Sequence, residues 1–239
     1  MQVRVVLPCA GSGSRLGLPF PKELAPLGPG RCVIDSSLDL IRNAAADCDL
    51  SVLLMTDGER DLTVRYVRAR LPWIQVAEAR QDPRIAEWPG AVMALGPLLG
   101  DVNVLLLPDA LYSWAGDPVT ELADAAEGHG FAAAAVKAGP EQIATAGALR
   151  ITDGRIAAHE DKPVDPEGYD ALWGMLGFTR DGNGPAAMRL LSASLTRKHD
   201  GPVTEPPLAG APVTWIDRFT DCGTWDRYFD AFSSHGDRQ

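Results

Sequence analysis

An α/β fold built on a mostly parallel sheet is predicted by three observations on this sequence. Strand-like apolar runs alternate with helix-like amphipathic segments through the first half of the chain. The strands at 50–55, 102–107 and 131–136 are almost continuously apolar, the pattern of strands covered on both faces. No linker is long enough to separate domains, and no internal repeat is visible. The resulting expectation is a single doubly wound α/β domain over 1–239. It has a mostly parallel twisted sheet, helices on both faces, and a mixed-strand insertion covering the strand ends, where open α/β sheets bind ligands.

Taken in order, the first strand is 3–7, followed directly by a glycine and serine loop. Residues 34–46 carry apolar side chains at 34, 38, 40, 41 and 44, which fits a helix that Asp35 or Ser36 can cap. A strand at 50–55, a helix at 59–71 and a short strand at 73–77 follow. Residues 86–99 read as a helix with Pro89 in its first turn. Then come a strand at 102–107, a helix at 119–127 and a strand at 131–136.

The second half changes character. Strands 148–152 and 155–159 flank Asp153-Gly154, a strong hairpin turn. A Pro-containing loop leads to an apolar strand at 171–178, and a helix spans 185–195. Residues 197–212 carry four prolines and read as a loop. A short strand at 213–216 and a last helix at 225–232 complete the chain.

Composition sets limits on function. With 46% hydrophobic and 23% charged residues, the chain can bury a full core. No stretch approaches the length of a membrane span and no signal-peptide pattern opens the chain, so a soluble cytoplasmic protein that binds no membrane is expected. A net charge of −10 argues against nucleic-acid binding. It does not forbid a polyphosphate, provided cations gather locally and a metal ion helps. The four cysteines are scattered and read as free thiols. Only four of the 22 cationic side chains are lysines, and two of these sit in Pro-flanked motifs, Pro21-Lys22-Glu23 and Asp161-Lys162-Pro163. A lysine kept where arginine is otherwise preferred marks a need for a compact point charge.

Four motifs carry chemistry. The first is the loop Ala10-Gly11-Ser12-Gly13-Ser14-Arg15, followed by Lys22. It lacks the P-loop pattern, and Pro19 and Pro21 forbid the helix that a dinucleotide fingerprint needs. Gly11 and Gly13 let the backbone approach an anion. Ser12 and Ser14 offer hydroxyls, Arg15 a bidentate phosphate contact and Lys22 a second cation. The second is Asp109 at the C-terminal end of a buried strand, aimed at the ligand crevice; one or two carboxylates with substrate phosphates is a usual Mg²⁺ arrangement. The third is His159-Glu160-Asp161-Lys162-Pro163, a charge cluster after the hairpin. The fourth is Asp221-Cys222-Gly223-Thr224, where Asp221 can be a second Mg²⁺ ligand and Gly223 permits close approach.

In sequence, these motifs resemble the nucleotidyltransferase superfamily that makes nucleotide sugars, together with its small-molecule cytidylyltransferases. The matching residues run in order along essentially the whole chain. They are Ala10 to Leu16, Pro21-Lys22-Glu23-Leu24, Pro26-Leu27 with Ile34, Gln81 with Gly90, Asp109, Gly147, Glu160 to Pro163, Gly174, and Asp221 to Thr224. The resemblance implies a single Rossmann-like domain and a Mg²⁺-dependent reaction in which an acceptor phosphate attacks the α-phosphorus of an NTP and expels pyrophosphate. It implies a nucleotide-binding half over 1–136 and an acceptor-binding half over 137–239. By position, Arg15 binds the triphosphate and Lys22 contacts phosphate at the reacting centre. Asp109 and Asp221 hold Mg²⁺, and Gln81 and Gly90 face the base. Lys162 anchors the acceptor phosphate, with Glu160, Gly147 and Gly174 near the acceptor's body.

The interval of seven residues from Arg15 to Lys22 is close to that of N-acetylglucosamine-phosphate uridylyltransferases. It is also close to that of cytidylyltransferases acting on methylerythritol phosphate, choline phosphate and phosphonates. The NTP is expected to be CTP, UTP or dTTP. The acceptor is first a sugar 1-phosphate, with a small phosphonate or alcohol phosphate as the rival. A nucleotide-binding regulator without turnover is the alternative of another class, and a homo-oligomer stays open.

Overall fold

The computed structural model describes residues 2–11, 15–85, 87–196 and 201–236. Strand β1 (Gln2–Pro8) runs into the glycine loop and a 3₁₀ turn (Lys22–Leu24), then a small hairpin of β2 (Pro26–Gly28) and β3 (Arg31–Cys32). Helix α1 (Asp35–Ala44), β4 (Asp49–Thr56), α2 (Asp61–Arg70), β5 (Gln75–Arg80) and α3 (Trp88–Met93) follow. Next come β6 (Val102–Leu106), β7 (Ala110–Ser113), α4 (Pro118–His129), β8 (Phe131–Lys137) and α5 (Pro140–Ile143). The second half holds β9 (Gly147–Thr152), β10 (Arg155–Asp161), β11 (Ala171–Thr179), α6 (Asn183–Thr196), β12 (Val213–Trp215), β13 (Arg218–Asp221) and α7 (Trp225–Gly236).

One sheet unites both halves in the order β12-β8-β11-β6-β1-β4-β5. β1 pairs in parallel with β4 and β6, and β4 with β5. β8 and β12 are also parallel. β11 alone in this row is reversed, antiparallel to β6 and β8. Its register explains how the insertion reaches the strand ends. Met175 to Thr179 pair with β6, so Ala171 and Leu172 project past the end of β6 and pair with β9 instead. The β9–β10 hairpin therefore extends the sheet beside the C-terminal ends of the parallel strands.

Side-chain alternation divides the core into two layers. Val3, Val5 and Leu7 pack with Leu38 and Ile41 of α1, Val64 and Val67 of α2, and Leu122 of α4. Val6, Leu53 and Met55 point the other way, towards Val92 of α3 and Met188 and Leu191 of α6. Helices thus cover both faces, as expected for strands this apolar. Phe131 and Phe178 are fully buried, and each such side chain contributes about 1.5–3 kcal/mol.

Local signals account for several boundaries. Asp117 caps α4 by accepting from Val119 N and Thr120 N, and Gly130, with φ of 92°, closes its other end. Asp153 and Gly154 both have positive φ, as the hairpin turn requires. Three expectations differ. The helix expected at 86–99 ends at Met93; Gly96 turns left-handed and Pro97 lacks a donor, so only a 3₁₀ turn (Gly96–Leu98) continues. Neither Asp35 nor Ser36 caps α1. Asp35 accepts instead from Cys32 N (2.8 Å) and Tyr66 Oη (2.6 Å), and Ser36 Oγ accepts from Tyr112 N (2.8 Å). The paired strands β7 and β13 appear where no strand is predicted. Among the described residues no helix is long and apolar enough to cross a membrane.

Candidate active site

The parallel strands β1, β4, β5 and β6 end at one crevice of about 770 Å³. Pro8, Met55 and Leu107 form its floor at the strand ends, and the loops after them supply its polar groups. Ala10, Gly11, Arg15, Lys22, Gln81, Asp109, Lys162 and Asp221 all line this cleft. Eight residues expected to share a site are thus brought together from six loops and strand ends. Ser12, Gly13 and Ser14 lie outside the described residues.

The glycine loop is fixed from behind. Arg60 Nε donates to Cys9 O at 2.8 Å, and Arg60 Nη2 donates to Gly11 O. Lys22 sits on the 3₁₀ turn, and its Nζ forms an ion pair with Asp109. The same ammonium lies beside Gly11, 3.7 Å from where a Cβ would stand. The next residue, Glu23, is buried; Thr63 Oγ1 donates to it at 2.7 Å. Burial raises the Glu23 carboxyl above its ordinary range.

The two carboxylates are held by backbone. β7 and β13 form an antiparallel ladder that sets Ala110 opposite Asp221. Cys222 N donates to Asp109 O at 2.9 Å, continuing the ladder by one step. Asp221 Oδ1 accepts from Gly223 N at 2.8 Å, and Arg227 Nη1 lies 3.5 Å from Oδ2. Gly223 is needed here, because a Cβ would fall 2.8 Å from Asp221 Oδ1 and 3.1 Å from Arg15 Nη2. The buried Cys222 thiol is pushed up to about 12, first by burial, then by Asp221 and Asp109.

A divalent cation fits this pair. Among the described residues no group of three or more His, Cys, Asp or Glu side chains could hold a metal. Mg²⁺ needs no such cage, since it keeps several waters and takes one or two carboxylates with substrate phosphates. Asp109 and Asp221, with Arg15 and Lys22 beside them, match that donor set.

The rest of the cleft lining adds an aromatic ring and further charges. Trp88 and Glu87, at the start of α3, line the cleft with Asp161 and Lys162. Trp88 meets Trp173 with ring centroids 5.5 Å apart. Lys162 adopts φ of 55°, and its amide donates to Ala146 O at 2.9 Å, which turns the chain just after Asp161. Glu160 does not line the cleft; it accepts a hydrogen bond from Tyr169 Oη. Gly147 lies beneath Trp173, whose Nε1 is 1.9 Å from a would-be Cβ. Gly174 lets β11 meet Ile216 and Phe219, at 2.8 and 3.0 Å from its own would-be Cβ. Gly90 borders a neighbouring hollow between α3 and α6 with Met93 and Met188.

Sequence reasoning missed Arg60, Arg227, Glu87 and Trp88. Arg60 follows the C-terminal end of β4, the same kind of position that singles out Asp109 after β6, so that rule applied to every parallel strand could have found it. Trp88 precedes Pro89-Gly90. Arg227 carries no comparable signal.

No family model matches the chain, and no curated protein matches it. Solved structures do. A UDP-glucose pyrophosphorylase complexed with UDP-glucose superposes with a TM-score of 0.73 at 16% identity, covering 100% of both chains. A UTP-bound UGPase from Acinetobacter baumannii gives 0.72 at 15% identity, covering 100% of this chain and 95% of that one. A candidate glucose-1-phosphate thymidylyltransferase from Bacillus anthracis, solved with a sucrose, gives 0.71 at 15% identity over 99% and 96%. The likeness spans the whole chain, with its insertion and its parallel sheet, and establishes that this chain has the α/β fold of UDP-glucose pyrophosphorylase.

Proposed function

We propose that the chain is a Mg²⁺-dependent nucleotidyltransferase, joining an NTP to a phosphorylated small molecule, first a sugar 1-phosphate, with release of pyrophosphate. The observation that carries this reading is the convergence of Arg15, Lys22, Asp109 and Asp221 in one cleft that Lys162 also lines. The fold supports it, since similar structures were solved with UTP and with UDP-glucose.

In this reading Arg15 and the amides of the glycine loop take the β- and γ-phosphates. Lys22 leaves Asp109 and moves to the α-phosphate, where charge develops. Asp109 and Asp221 would hold Mg²⁺, which would supply charge neutralisation at the phosphates. Lys162 fixes the acceptor phosphate in line with the α-phosphorus. The acceptor oxygen forms a bond to that phosphorus as the bond to the β-phosphate oxygen breaks, and its electron pair leaves with pyrophosphate. The attacking oxygen is already an anion, so no general base is required; alignment and charge neutralisation carry the rate. Gln81 faces the base, its amide held by donation to Ile85 O at 3.0 Å. Gly90, Gly147 and Gly174 take no direct part in this reading: Gly90 borders the neighbouring hollow, and Gly147 and Gly174 make room for Trp173 and Phe219 behind the cleft lining.

One observation favours a second reading. Glu160 is engaged by Tyr169, and Asp161 takes the cleft position instead. With the larger sugar contact thus altered, a cytidylyltransferase for a small phosphonate or alcohol phosphate fits the same machinery. Pyrophosphate release from CTP, UTP and dTTP, each paired with glucose 1-phosphate, choline phosphate and a small phosphonate, decides. Release with a sugar 1-phosphate is expected. Turnover only with CTP and a small acceptor would move the assignment to the second reading. Nucleotide binding with no turnover in any pairing would leave a regulator.

A further inference from the structure

Arg60 contacts no substrate in the reaction above, yet its guanidinium joins the two anion-facing segments. Its side chain is 13% exposed. It donates to Cys9 O and Gly11 O, and pairs with Asp57 at 3.2 Å and Glu23 at 3.9 Å. Cys9 and Gly11 bracket the start of the glycine loop. Glu23 follows Lys22 and is tied down by Thr63 Oγ1 and, through its carbonyl, by Ile34 N at 2.9 Å. One partly buried cation therefore reaches the loop and the lysine turn together.

We propose that Arg60 is a positioning residue that presets the phosphate cradle. In a trans peptide the C=O and the following N–H point in opposite directions. With Cys9 O turned onto Arg60, the Ala10 N–H is directed away from Arg60, and Ala10 lines the cleft. Without the guanidinium the two carbonyls would be free to rotate, and a carbonyl oxygen facing the cleft repels an anion where an N–H attracts one. The pair with Glu23 holds the turn carrying Lys22 in the same frame. A planar fork suits this task, because one guanidinium can serve two carbonyls and two carboxylates at fixed angles.

The inference rests on the nucleotidyltransferase reading, and the experiment separates the two. Inorganic tripolyphosphate with Mg²⁺ is titrated calorimetrically into the wild-type chain, Arg60→Lys, and the double variant Arg60→Gln/Glu23→Gln. Lysine keeps the charge beside Glu23 and Asp57 but lacks the rigid planar fork that spans the two carbonyls at fixed angles. Arg60→Lys is expected to bind tripolyphosphate about tenfold or more weakly, the loss of a charge-assisted contact. Its KM for NTP should rise while its acceptor KM stays unchanged, a split that a general loss of folding would not produce. Wild-type tripolyphosphate affinity in Arg60→Lys would overturn the positioning role. If Arg60→Lys does not fold, the double variant, which removes the buried carboxylate with its cation, is judged by the same criterion. Failure of the wild-type chain to bind tripolyphosphate would overturn the nucleotidyltransferase reading itself, and the role of Arg60 with it.

Discussion

Replacing Lys22 by Met should make the free protein a better metal binder. The Lys22 ammonium is paired with Asp109, the carboxylate proposed to hold Mg²⁺. A cation arriving alone must displace it. The side chains are 19% and 13% exposed, so solvent screens the pair only in part. A hydrogen bond between charged groups in such a setting is worth about 1.5–3 kcal/mol. At about 1.4 kcal/mol per tenfold, its removal should tighten metal binding roughly ten- to a hundredfold. Mn²⁺ binding followed by electron paramagnetic resonance, without nucleotide, reads this directly. Lys22→Met should bind Mn²⁺ more tightly than the wild type, and Lys22→Met/Asp109→Asn should lose the gain. Turnover should move in the opposite direction, because the α-phosphate loses its cation. Unchanged Mn²⁺ affinity in Lys22→Met would refute the displacement. The same logic predicts that nucleotide strengthens metal binding in the wild type, since phosphate offers Lys22 another partner.

Other consequences can be measured separately. Asp109→Ala and Asp221→Ala should each lose Mg²⁺-dependent pyrophosphate release while keeping a cooperative melt; near-wild-type rates in both would refute the metal assignment. Lys162→Ala should raise the acceptor KM by a factor corresponding to about 1–3 kcal/mol and leave the NTP KM unchanged. Gly223→Ala should impair NTP use, because the added methyl collides with Asp221 and approaches Arg15. His159 is buried with neither ring nitrogen hydrogen-bonded, and burial lowers it to about 4. Unfolding lets it take up a proton near its ordinary 6.5, so the unfolded state binds more protons between these values and stability falls as pH drops from about 6.5 to 4. The gap limits the effect to about 3 kcal/mol, and His159→Phe should flatten that part of a urea-denaturation series.

The parallel sheet was legible because its central strands β1, β4 and β6 and the neighbouring β8 are apolar enough to be recognised alone, while the polar edge strand β5 was placed by its spacing after α2. β7 (Ala-Leu-Tyr-Ser) and β13 (Arg-Phe-Thr-Asp) were not legible, because neither alternates cleanly and each is defined by a partner far away in sequence. Asp109 and Asp221 could be read as site candidates from strand-end position and glycine context. Their shared scaffold could not, since it consists of backbone hydrogen bonds that leave no trace in residue type. Arg60 was overlooked for a similar reason: its acceptors are carbonyls, which any residue supplies. The acceptor end was the least legible part. Whether Glu160 or Asp161 faces the cleft depends on the pleat of β10, and the register shift between Ile156 and Ala158 resets the alternation just before them.

The ladder between β7 and β13 divides the cleft mechanically. Asp109 and Asp221 are stitched to each other through main chain, whereas Lys162 follows the β9–β10 hairpin, a separate element that pairs with the first two residues of β11 and is bonded along its other edge to the segment 203–213. A displacement of that hairpin would change the reach of Lys162 without altering the spacing of the two carboxylates. Acceptors of different length could then be met by adjusting one wall, while the wall that faces the nucleotide keeps a constant gauge.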